Sequence, residues 1–343
     1  MANSKVNPNQ NITAEVGSKK KEVSGFSWVT QKLKDFRELN LLLIIAVVSI
    51  VMSFASPYFL TWGNIEAMLL SFSTEGIVVI GMTIMLIVGG IDISVGSVMC
   101  LAMVIPGQLF LMGWDPWTAS LVGLLSAVII GMLIGFFVTK VGLNHFIITL
   151  AFMGIVRGAS LVVTKGTPLS LYSLPDSFKF IGQGKILGIP FVIILFFIIV
   201  IICDFMLRKS TVLRKVFYTG SNEKAAMFSG INTKRVKFWV SVLCSSLTGL
   251  AGIIFMARFG AATPTFGLGL EMTAISGAVI GGASLNGGKG TVLGSILGIS
   301  LLAIVTGSMI LLDVNVYWQD LIKGMILVGA ISIDSLSQMR KQK

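Results

Sequence analysis

Residues 41–60 read LLLIIAVVSIVMSFASPYFL, a run of 20 residues without a charged side chain. An α-helix needs about 20 predominantly apolar residues to cross the hydrocarbon core of a bilayer. The preceding forty residues are polar, with Lys19, Lys20 and Lys21 in a row, and lack the short apolar core and small-residue cleavage site of a secretory signal. We therefore expect the run to persist as a membrane-spanning helix.

Similar apolar runs recur along most of the chain. Of its 343 residues, 55% are hydrophobic and only 12% are charged, whereas soluble domains carry about 25% charged residues. The runs predict ten membrane spans, near residues 41–60, 66–88, 95–113, 117–139, 145–163, 189–207, 238–259, 268–285, 291–312 and 320–338. The predicted fold is an all-α, polytopic membrane helical bundle of about ten transmembrane helices. It has a polar tail at 1–40, a membrane domain at 41–338 and a short tail at 339–343.

The basic residues indicate the orientation of this bundle, because positively charged loops stay on the cytoplasmic side. With ten spans, 20 of the 26 lysines and arginines fall on one side. Eight of them lie in segment 208–237 and seven in the N-terminal tail. Both termini and segment 208–237 are therefore predicted to be cytoplasmic. The formal charge of +11 is interpreted as an orientation signal, so no nucleic-acid partner is expected.

Composition and spacing disfavour several kinds of site. Cys100, Cys203 and Cys244 are far apart without a CxxC motif, and His145 is the only histidine, so disulfides, a metal site and a membrane-embedded enzyme are disfavoured. Residues 282–291 read GASLNGGKGT, which lacks the GxxxxGK[ST] spacing of a phosphate loop. The chain is thus not expected to bind ATP itself, and we interpret this stretch as a flexible turn.

Small residues recur at every fourth position in two of the predicted spans. They are Gly123, Ala127, Gly131 and Gly135 in the fourth span, and Gly290, Gly294 and Gly298 in the ninth. Such stripes let helix backbones approach closely in lipid. The pattern predicts a tightly packed bundle.

A glycine-rich break, GGIDISVGS at 89–97, brings polar side chains to the predicted membrane depth. An acid at this depth usually faces a cavity, a partner or water. Asp92, Ser94 and Ser97 are therefore candidates to line a polar pathway. The alternative, compatible with the first, is that Asp92 caps the following helix, with Ser94 as a second capping candidate.

Three further ionisable residues, Glu75, Arg157 and Glu271, lie in apolar surroundings. Lone charges inside a membrane mark function by default, but an internal pair between the arginine and a carboxylate is also open. His145 follows Asn144 at a predicted helix start. We interpret it as an interfacial polar residue, since no second histidine is present to relay a proton.

The most informative stretch is GSNEKAAMFSGIN at 220–232, which lies between basic flanks. Ser221 or Asn222 can cap a short helix, Glu223 suits its first turn, and Gly230 can end it. Such a helix has little to bury against in its own chain, so we expect it to insert into a groove of another protein. The alternative is an amphipathic helix resting on the membrane surface.

Five motifs in order, spread over about residues 41–338, resemble one known family. They are GGIDISVGS at 89–97, LNHFIITL at 143–150, GSNEKAA at 220–226, GGASLNGGKG at 281–290 and YWQDLIKG at 317–324. Together they resemble the ribose-type sugar permeases of ATP-binding cassette (ABC) importers, within the superfamily that also holds branched-chain amino-acid permeases. In particular, the stretch from Glu223 to Gly230 resembles the coupling loop of ABC importer permeases.

The resemblance implies a multi-pass permease of the bacterial cytoplasmic (inner) membrane that pairs with a second copy or a related chain. It also implies a cytoplasmic ABC ATPase, which binds the ATP, and an extracytoplasmic sugar-binding protein. By the same resemblance, Glu223, Ala225, Ala226 and Gly230 would meet the ATPase. Asp92 and its neighbours would lie along the translocation pathway.

We therefore expect ATP binding to close the ATPase partners and to switch the bundle from inward- to outward-facing. Sugar would then pass polar groups that include Asp92, Ser94, Thr149 and Glu271. The rival hypothesis is an ion-coupled secondary transporter or channel, in which an intramembrane charged residue binds the coupling ion. Three points stay open: the identity of the solute, the choice between two identical and two related permease chains, and whether the span near Glu271 crosses or re-enters.

Overall fold

The computed structural model describes residues 37–342, and the side chains of residues 38–332. Most of the predicted N-terminal tail, including Lys19, Lys20 and Lys21, lies outside the described residues, as does Lys343. From Arg37 onward the chain clusters as one unit, which is described by itself below.

Helices account for nearly all of the regular structure in the described chain. In chain order they are α1 (Arg37–Ala55), α2 (Trp62–Ile87), α3 (Val95–Leu111), α4 (Pro116–Phe136), α5 (His145–Thr164), α6 (Asp176–Gln183), α7 (Phe191–Lys209), α8 (Thr211–Ser221), α9 (Glu223–Phe228), α10 (Thr233–Phe259), α11 (Leu270–Ile280), α12 (Val292–Leu311) and α13 (Val316–Gln342). A π-helical turn, Phe137–Val141, extends α4.

Two pairs of very short strands accompany the helices. Strand β1 (Leu169–Ser170) pairs antiparallel with β4 (Ala261–Ala262), and β2 (Lys185–Ile186) pairs antiparallel with β3 (Ile189–Pro190). Each strand has only two residues. The strand pairs join segments that connect the helices, and the fold class remains all-α.

Each predicted span coincides with a helix, but the helices differ in their capacity to cross a membrane. Within residues 37–342, seven are long and apolar enough, namely α1, α2, α4, α5, α7, α10 and α12. Helices α3 and α11 are apolar but only 17 and 11 residues long, and α13 is outside the seven. The all-helical membrane class is confirmed, while the count of about ten full-length spans is confirmed for seven. Glycine-rich, polar backbone borders both short helices and limits their length.

Contacts between helix termini define the two ends of the bundle. Near the start of α2, the Leu70 carbonyl accepts a hydrogen bond from Arg258 of α10 at 3.0 Å. At the end of α2, the Ile87 carbonyl accepts from the amide of Gly288 at 2.8 Å. We call the end at Ile87 the loop end, because α8 packs there. The opposite end, where β1 meets β4, is the distal end.

The core is centred on α2 and α10, which are mostly buried, whereas only 11% of the most apolar window of α1 is buried. The predicted small-residue stripe of α4 packs on α3 at Gly123 and on α10 along the rest of its length. A Cβ at Gly131 would lie 2.9 Å from the Ser241 carbonyl oxygen, and one at Gly249 would lie 2.5 Å from the Ala127 Cβ. The close packing predicted from this stripe is confirmed.

Helix α11 is a half-length helix that follows a non-helical segment, residues 260–269. Its 11 residues rise about 16 Å, roughly half of the hydrocarbon thickness of a bilayer. The segment starts where α10 ends at the distal end, and the turn after α11 reaches Ile87 at the loop end. The chain therefore traverses the bundle as an irregular segment followed by a half-helix, instead of turning back to the side from which it came.

The second predicted stripe fixes this half-helix. Cβ atoms added to Gly294 and Gly298 of α12 would collide with the carbonyl oxygens of Gly281 and Gly277, respectively. Helices α11 and α12 are therefore in backbone contact, as the spacing predicted.

Candidate functional site

The predicted docking helix is present as α9, which spans Glu223–Phe228. Its cap is Asn222, whose side-chain oxygen accepts from the amide of Ala225 at 3.0 Å. Of the two caps that the sequence left open, Asn222 is the one used, and Ser221 instead ends α8. The cap satisfies one of the amides that the first helical turn leaves free.

Gly230 ends α9 as predicted. Its φ of 79° lies in the left-handed region that favours glycine. The amide of Gly230 donates to the Met227 carbonyl and the amide of Ile231 donates to the Ala226 carbonyl, both at 3.0 Å. These two bonds form a Schellman motif, which satisfies carbonyls at the helix end and turns the chain towards α10.

The two faces of α9 have different surroundings. Glu223 forms an ion pair with Lys237 of α10, with 2.7 Å between Oε2 and Nζ, and Ala226 is buried. This face holds the helix to its own chain. On the other face Ala225 is exposed and Phe228 is 91% exposed. Phe228 belongs to the helix that the sequence predicted to insert into a partner, but it was not among the ATPase contacts that the resemblance implied.

Three chain segments meet through their backbones at the loop end. We call this contact the glycine junction and define it by Gly89, Gly220, Gly287 and Gly288. The Gly288 amide donates to the Ile87 carbonyl, and a Cβ on Gly220 would collide with that carbonyl oxygen and lie 2.8 Å from the Gly288 nitrogen. A Cβ on Gly287 would lie 2.7 Å from the Gly220 carbonyl oxygen. The end of α8, the end of α2 and the turn before α12 are thus in direct contact.

The turn predicted at 282–291 is present, and its path is held by hydrogen bonds. The amide of Ser284 donates to the Lys289 carbonyl at 3.0 Å. Thr291 accepts from the amide of Gly294 at 3.0 Å and donates to the Glu38 carboxylate at 3.0 Å. The start of α1 therefore lies at the loop end, next to this turn.

Four of the predicted pathway residues lie in one buried region between α2, α3 and α5. They are Asp92, Ser94, Ser97 and Thr149, each at most 1% exposed. One carboxylate oxygen of Asp92 accepts from the amide of Ser94 at 2.9 Å and from its hydroxyl at 2.6 Å. The Thr149 hydroxyl donates to the Ile91 carbonyl at 3.2 Å and so ties α5 to this break.

The capping alternative for this break is wrong. The Ser94 hydroxyl, at the N-cap position of α3, makes no capping bond, because it donates to Asp92. Asp92 instead forms an Asx turn with Ser94. The other carboxylate oxygen of Asp92 and the Ser97 hydroxyl have no hydrogen-bond partner among the described residues. Buried acceptors without partners cost free energy, so this region has unused capacity to bind a polar group.

Arg157 stabilises the irregular segment before α11. One guanidinium nitrogen donates to the carbonyls of Pro264 and Phe266 at 2.8 and 2.7 Å. The Cys100 thiol adds a contact to the Pro264 carbonyl at 3.1 Å. Within the part of the chain that is described, Arg157 therefore bonds to backbone carbonyls, and the alternative of an arginine–carboxylate pair, which the sequence left open, is wrong. Non-helical backbone at membrane depth requires such partners, because lipid supplies none.

Glu271, the remaining predicted pathway residue, stands at the first turn of α11 and is half-buried. It approaches the start of α3, since a Cβ on Gly96 would lie 3.0 Å from its Oε2 atom. The backbones of Gly96 and Gly267 also touch: a Cβ on Gly267 would lie 2.6 Å from the Gly96 carbonyl oxygen. The structure thus joins Glu271 to the helix that carries Ser97.

His145 lies at the loop end beside a cavity of about 410 Å³, which Asn144 and Lys237 also line. Asn144 caps α5 by accepting from the amide of Phe146 at 2.9 Å. The Nε2 atom of His145 is buried without a hydrogen-bond partner among the described residues. Across those residues no group of three or more His, Cys, Asp or Glu side chains is arranged to hold a metal ion.

Two cavities towards the distal end bring together residues that the sequence interpretation treated separately. Glu75, Thr273 and Lys323 line both, although they belong to α2, α11 and α13. Glu75 was recognised as an intramembrane charge, whereas Thr273 and Lys323 were not predicted as site residues. Only the fold brings these three helices together.

Comparison with known proteins decides the family. The family model described as "Branched-chain amino acid transport system / permease component" matches residues 64–331. The chain belongs to this permease family. The match extends from α2 into α13 and includes the glycine junction and α9. As a family member, this permease is a multi-pass transport component of the ABC type and is not an enzyme.

Characterised relatives match this permease over most of its length. The ribose import permease protein RbsC of Bacillus subtilis is 34% identical over 309 residues, which cover 90% of this chain and 94% of RbsC. The D-allose transport system permease protein AlsC of Escherichia coli is 32% identical, with 85% and 90% covered. The L-arabinose ABC transporter permease protein AraH of Azospirillum brasilense is 30% identical, with 88% and 89% covered. No solved structure matches the chain.

Proposed function

We propose that this permease forms the membrane path of an ATP-driven importer for a sugar or sugar-like solute. The observation that carries the proposal is the full-length similarity to three permeases named for ribose, allose and arabinose, each covered to at least 89%. The permease sits in the bacterial cytoplasmic (inner) membrane, works with an extracytoplasmic sugar-binding protein at its distal end, and pairs with a second permease chain. ATP is bound by a partner ATPase, so the permease itself needs no cofactor.

In this proposal the loop end faces the cytoplasm. The basic segment 208–237 supports that orientation, since positively charged loops stay inside. The start of α1 also lies at the loop end, where Glu38 accepts from Thr291. The tail at 1–40 and the C-terminal tail at 339–343 are then cytoplasmic, on either side of the membrane domain at 41–338.

The ATPase docks on α9. The exposed side chains of Ala225 and Phe228 form the contact, while the ion pair of Glu223, the buried Ala226 and the turn at Gly230 set the angle of the helix. A short helix with one apolar anchor suits a groove on a partner better than the membrane surface, because α9 has only six residues.

Movement of the ATPase reaches the solute path through the glycine junction. Helix α8 contacts Ile87 and the turn at 287–288 through backbone atoms, without intervening side chains. Because such close-packed contacts deform little, α2 moves when α8 moves. Asp92 follows only five residues after Ile87. We propose that Asp92, Ser94, Ser97, Thr149 and Glu271 line the pathway once the bundle switches.

Reconstitution tests the proposal against an ion-coupled transporter. The purified permease is placed in liposomes with and without its ATPase and binding protein, and uptake of labelled ribose, allose and arabinose is measured. We expect uptake only with ATP and both partners. Uptake that follows an imposed proton or sodium gradient without ATP would support the ion-coupled alternative instead.

Replacing Phe228 by alanine is expected to weaken ATPase docking without harming the permease itself. The side chain is 91% exposed, so its loss removes little packing within the chain. Buried aromatic anchors at interfaces contribute about 2 kcal/mol or more, equivalent to roughly a 30-fold loss of affinity. Co-purification of the ATPase with F228A is the measurement. The matched control is Tyr317→Ala, an 84% exposed aromatic at the distal end, which should retain the ATPase. Equal recovery with both variants would contradict the docking face.

A further inference from the structure

The two cavities towards the distal end adjoin one another and bring several polar side chains together inside an otherwise apolar bundle. Their volumes are about 190 and 390 Å³, and they share Glu75, Thr273 and Lys323 in their walls. We call this space the distal cleft. The larger cavity falls within the range of roughly 300–1,000 Å³ that is usual for small-molecule sites.

Two ionisable side chains, Glu75 and Lys323, line the distal cleft. Glu75 lies halfway along α2, where an ionisable side chain is costly to insert into a membrane and therefore usually faces a cavity, a partner or water. The ammonium of Lys323 lies 3.9 Å from the carboxylate of Asp320, which is largely exposed. With the described residues, Glu75 makes no ion pair within 4 Å, although Lys323 and Arg258 are near enough to attract it. The carboxylate therefore keeps acceptor capacity that faces the cleft.

Neutral polar groups complete the walls. Asn64, Ser71, Thr273 and Thr306 supply one amide and three hydroxyl groups, of which the Thr273 hydroxyl already donates to the Gly269 carbonyl at 3.4 Å and is left as an acceptor. The amide nitrogen of Asn64 already donates to the Phe59 carbonyl at 2.8 Å, which leaves its oxygen as an acceptor. Sugar hydroxyls donate and accept at once, so they match a mixed set of this kind. A metal ion would require several carboxylates together, and a zwitterion would use only the two charges.

We propose that the distal cleft is a transient binding site for small polyhydroxylated solutes. Glu75 accepts hydrogen bonds from solute hydroxyls, and Lys323 donates to solute oxygens. Thr273 belongs to the half-helix α11, so its contact with the solute links binding to the position of that helix. This inference rests on the proposed function and adds a location to it. Because the solute must leave towards the loop end, binding is weak and reversible.

Equilibrium binding to the full-length permease in lipid nanodiscs tests the site without ATPase or binding protein. Labelled ribose, allose and arabinose are titrated separately, with labelled leucine as a zwitterionic probe. We expect saturable binding of at least one sugar. Glu75→Gln should weaken its affinity about tenfold, since hydrogen bonds to a carboxylate are stronger than those to an amide, and Thr273→Val should weaken it about threefold.

The matched control is Glu66→Gln, the same change on the same helix. Glu66 pairs with Lys185 at 2.5 Å and lines neither of the two cavities, so sugar affinity should be unchanged. Thermal unfolding of each variant checks that the bundle is intact. Unchanged affinity in both Glu75→Gln and Thr273→Val, absence of saturable sugar binding, or tighter binding of leucine than of any sugar would each overturn the inference. ATP-dependent uptake would still be measured in the complete transporter, so the proposed function could stand while this site fails.

Discussion

Gly220→Ala is expected to disable the transporter although alanine is the better helix former. In the middle of a helix, alanine is favoured over glycine by about 1 kcal/mol. Here the new Cβ would collide with the Ile87 carbonyl oxygen and crowd the Gly288 nitrogen, both of which are backbone atoms that cannot rotate away. Overpacking costs about 1–3 kcal/mol, and loss of the hydrogen bond from Gly288 to Ile87 adds about 1 kcal/mol. The cost of overpacking at Gly220 therefore exceeds the gain in helix propensity that alanine brings.

The measurements for this variant are the thermal midpoint in detergent and ATP-driven uptake in liposomes. We expect the midpoint to fall by about 5 °C and uptake to fall by about an order of magnitude, because the junction both packs and transmits movement. Gly154→Ala in α5 is the matched control, since no heavy atom lies within 4 Å of its added Cβ. A Gly220→Ala protein as stable and active as Gly154→Ala would show that the glycine junction tolerates separation.

Local signals in the sequence predicted the parts of the site that depend on near neighbours. Apolar length placed a helix at each predicted span, because lipid forces backbone groups to bond within the helix. The cap at Asn222 and the turn at Gly230 followed from residue type at a helix end. The stripe that contains Gly131 predicted close packing correctly, since small residues act alike whichever helix they meet.

Long-range pairings were beyond the reach of sequence patterns. Arg157 meets carbonyls more than 100 positions away, in the connection between the predicted spans 238–259 and 268–285. The contact between Gly96 and Gly267, next to the start of α11, is another pairing that no periodicity reveals. The distal cleft likewise needs Glu75 and Lys323 on one side of the bundle, and only the order in which helices pack determines that.

The buried region around Asp92 lies between two contacts that the sequence could not connect. On one side, Gly89 belongs to the glycine junction, three residues before Asp92. On the other side, Thr149 bonds the Ile91 carbonyl and links the same break to α5. A movement of α8 thus acts on the short segment 89–92. This segment is bonded to α5, and it contains the carboxylate oxygen of Asp92 that has no hydrogen-bond partner among the described residues. This arrangement gives the pathway prediction for Asp92 a mechanical basis.

The irregular segment at 260–269 should depend most strongly on Arg157. Lipid offers no hydrogen bonds to the carbonyls of Pro264 and Phe266, so their partner must come from the protein. Each bond to a charged donor contributes about 1.5–3 kcal/mol, and two bonds together make about 3–6 kcal/mol. Because α11 begins at residue 270, loosening this segment also frees the half-helix that carries Glu271.

Arg157→Met is therefore expected to lower the free energy of unfolding by about 3–6 kcal/mol and to raise hydrogen exchange in residues 263–270. Methionine keeps much of the side-chain length, so the loss reflects the missing donors more than a cavity. Arg157→Lys should recover part of the loss, since its ammonium keeps the charge and several N–H donors but ends one bond short of the guanidinium nitrogen that reaches both carbonyls. Arg214→Met, at an exposed arginine of α8, is the control and should leave stability within about 0.5 kcal/mol. Equal stability of the Arg157→Met and Arg214→Met proteins would contradict this role, because the two carbonyls would then have no need of a charged donor.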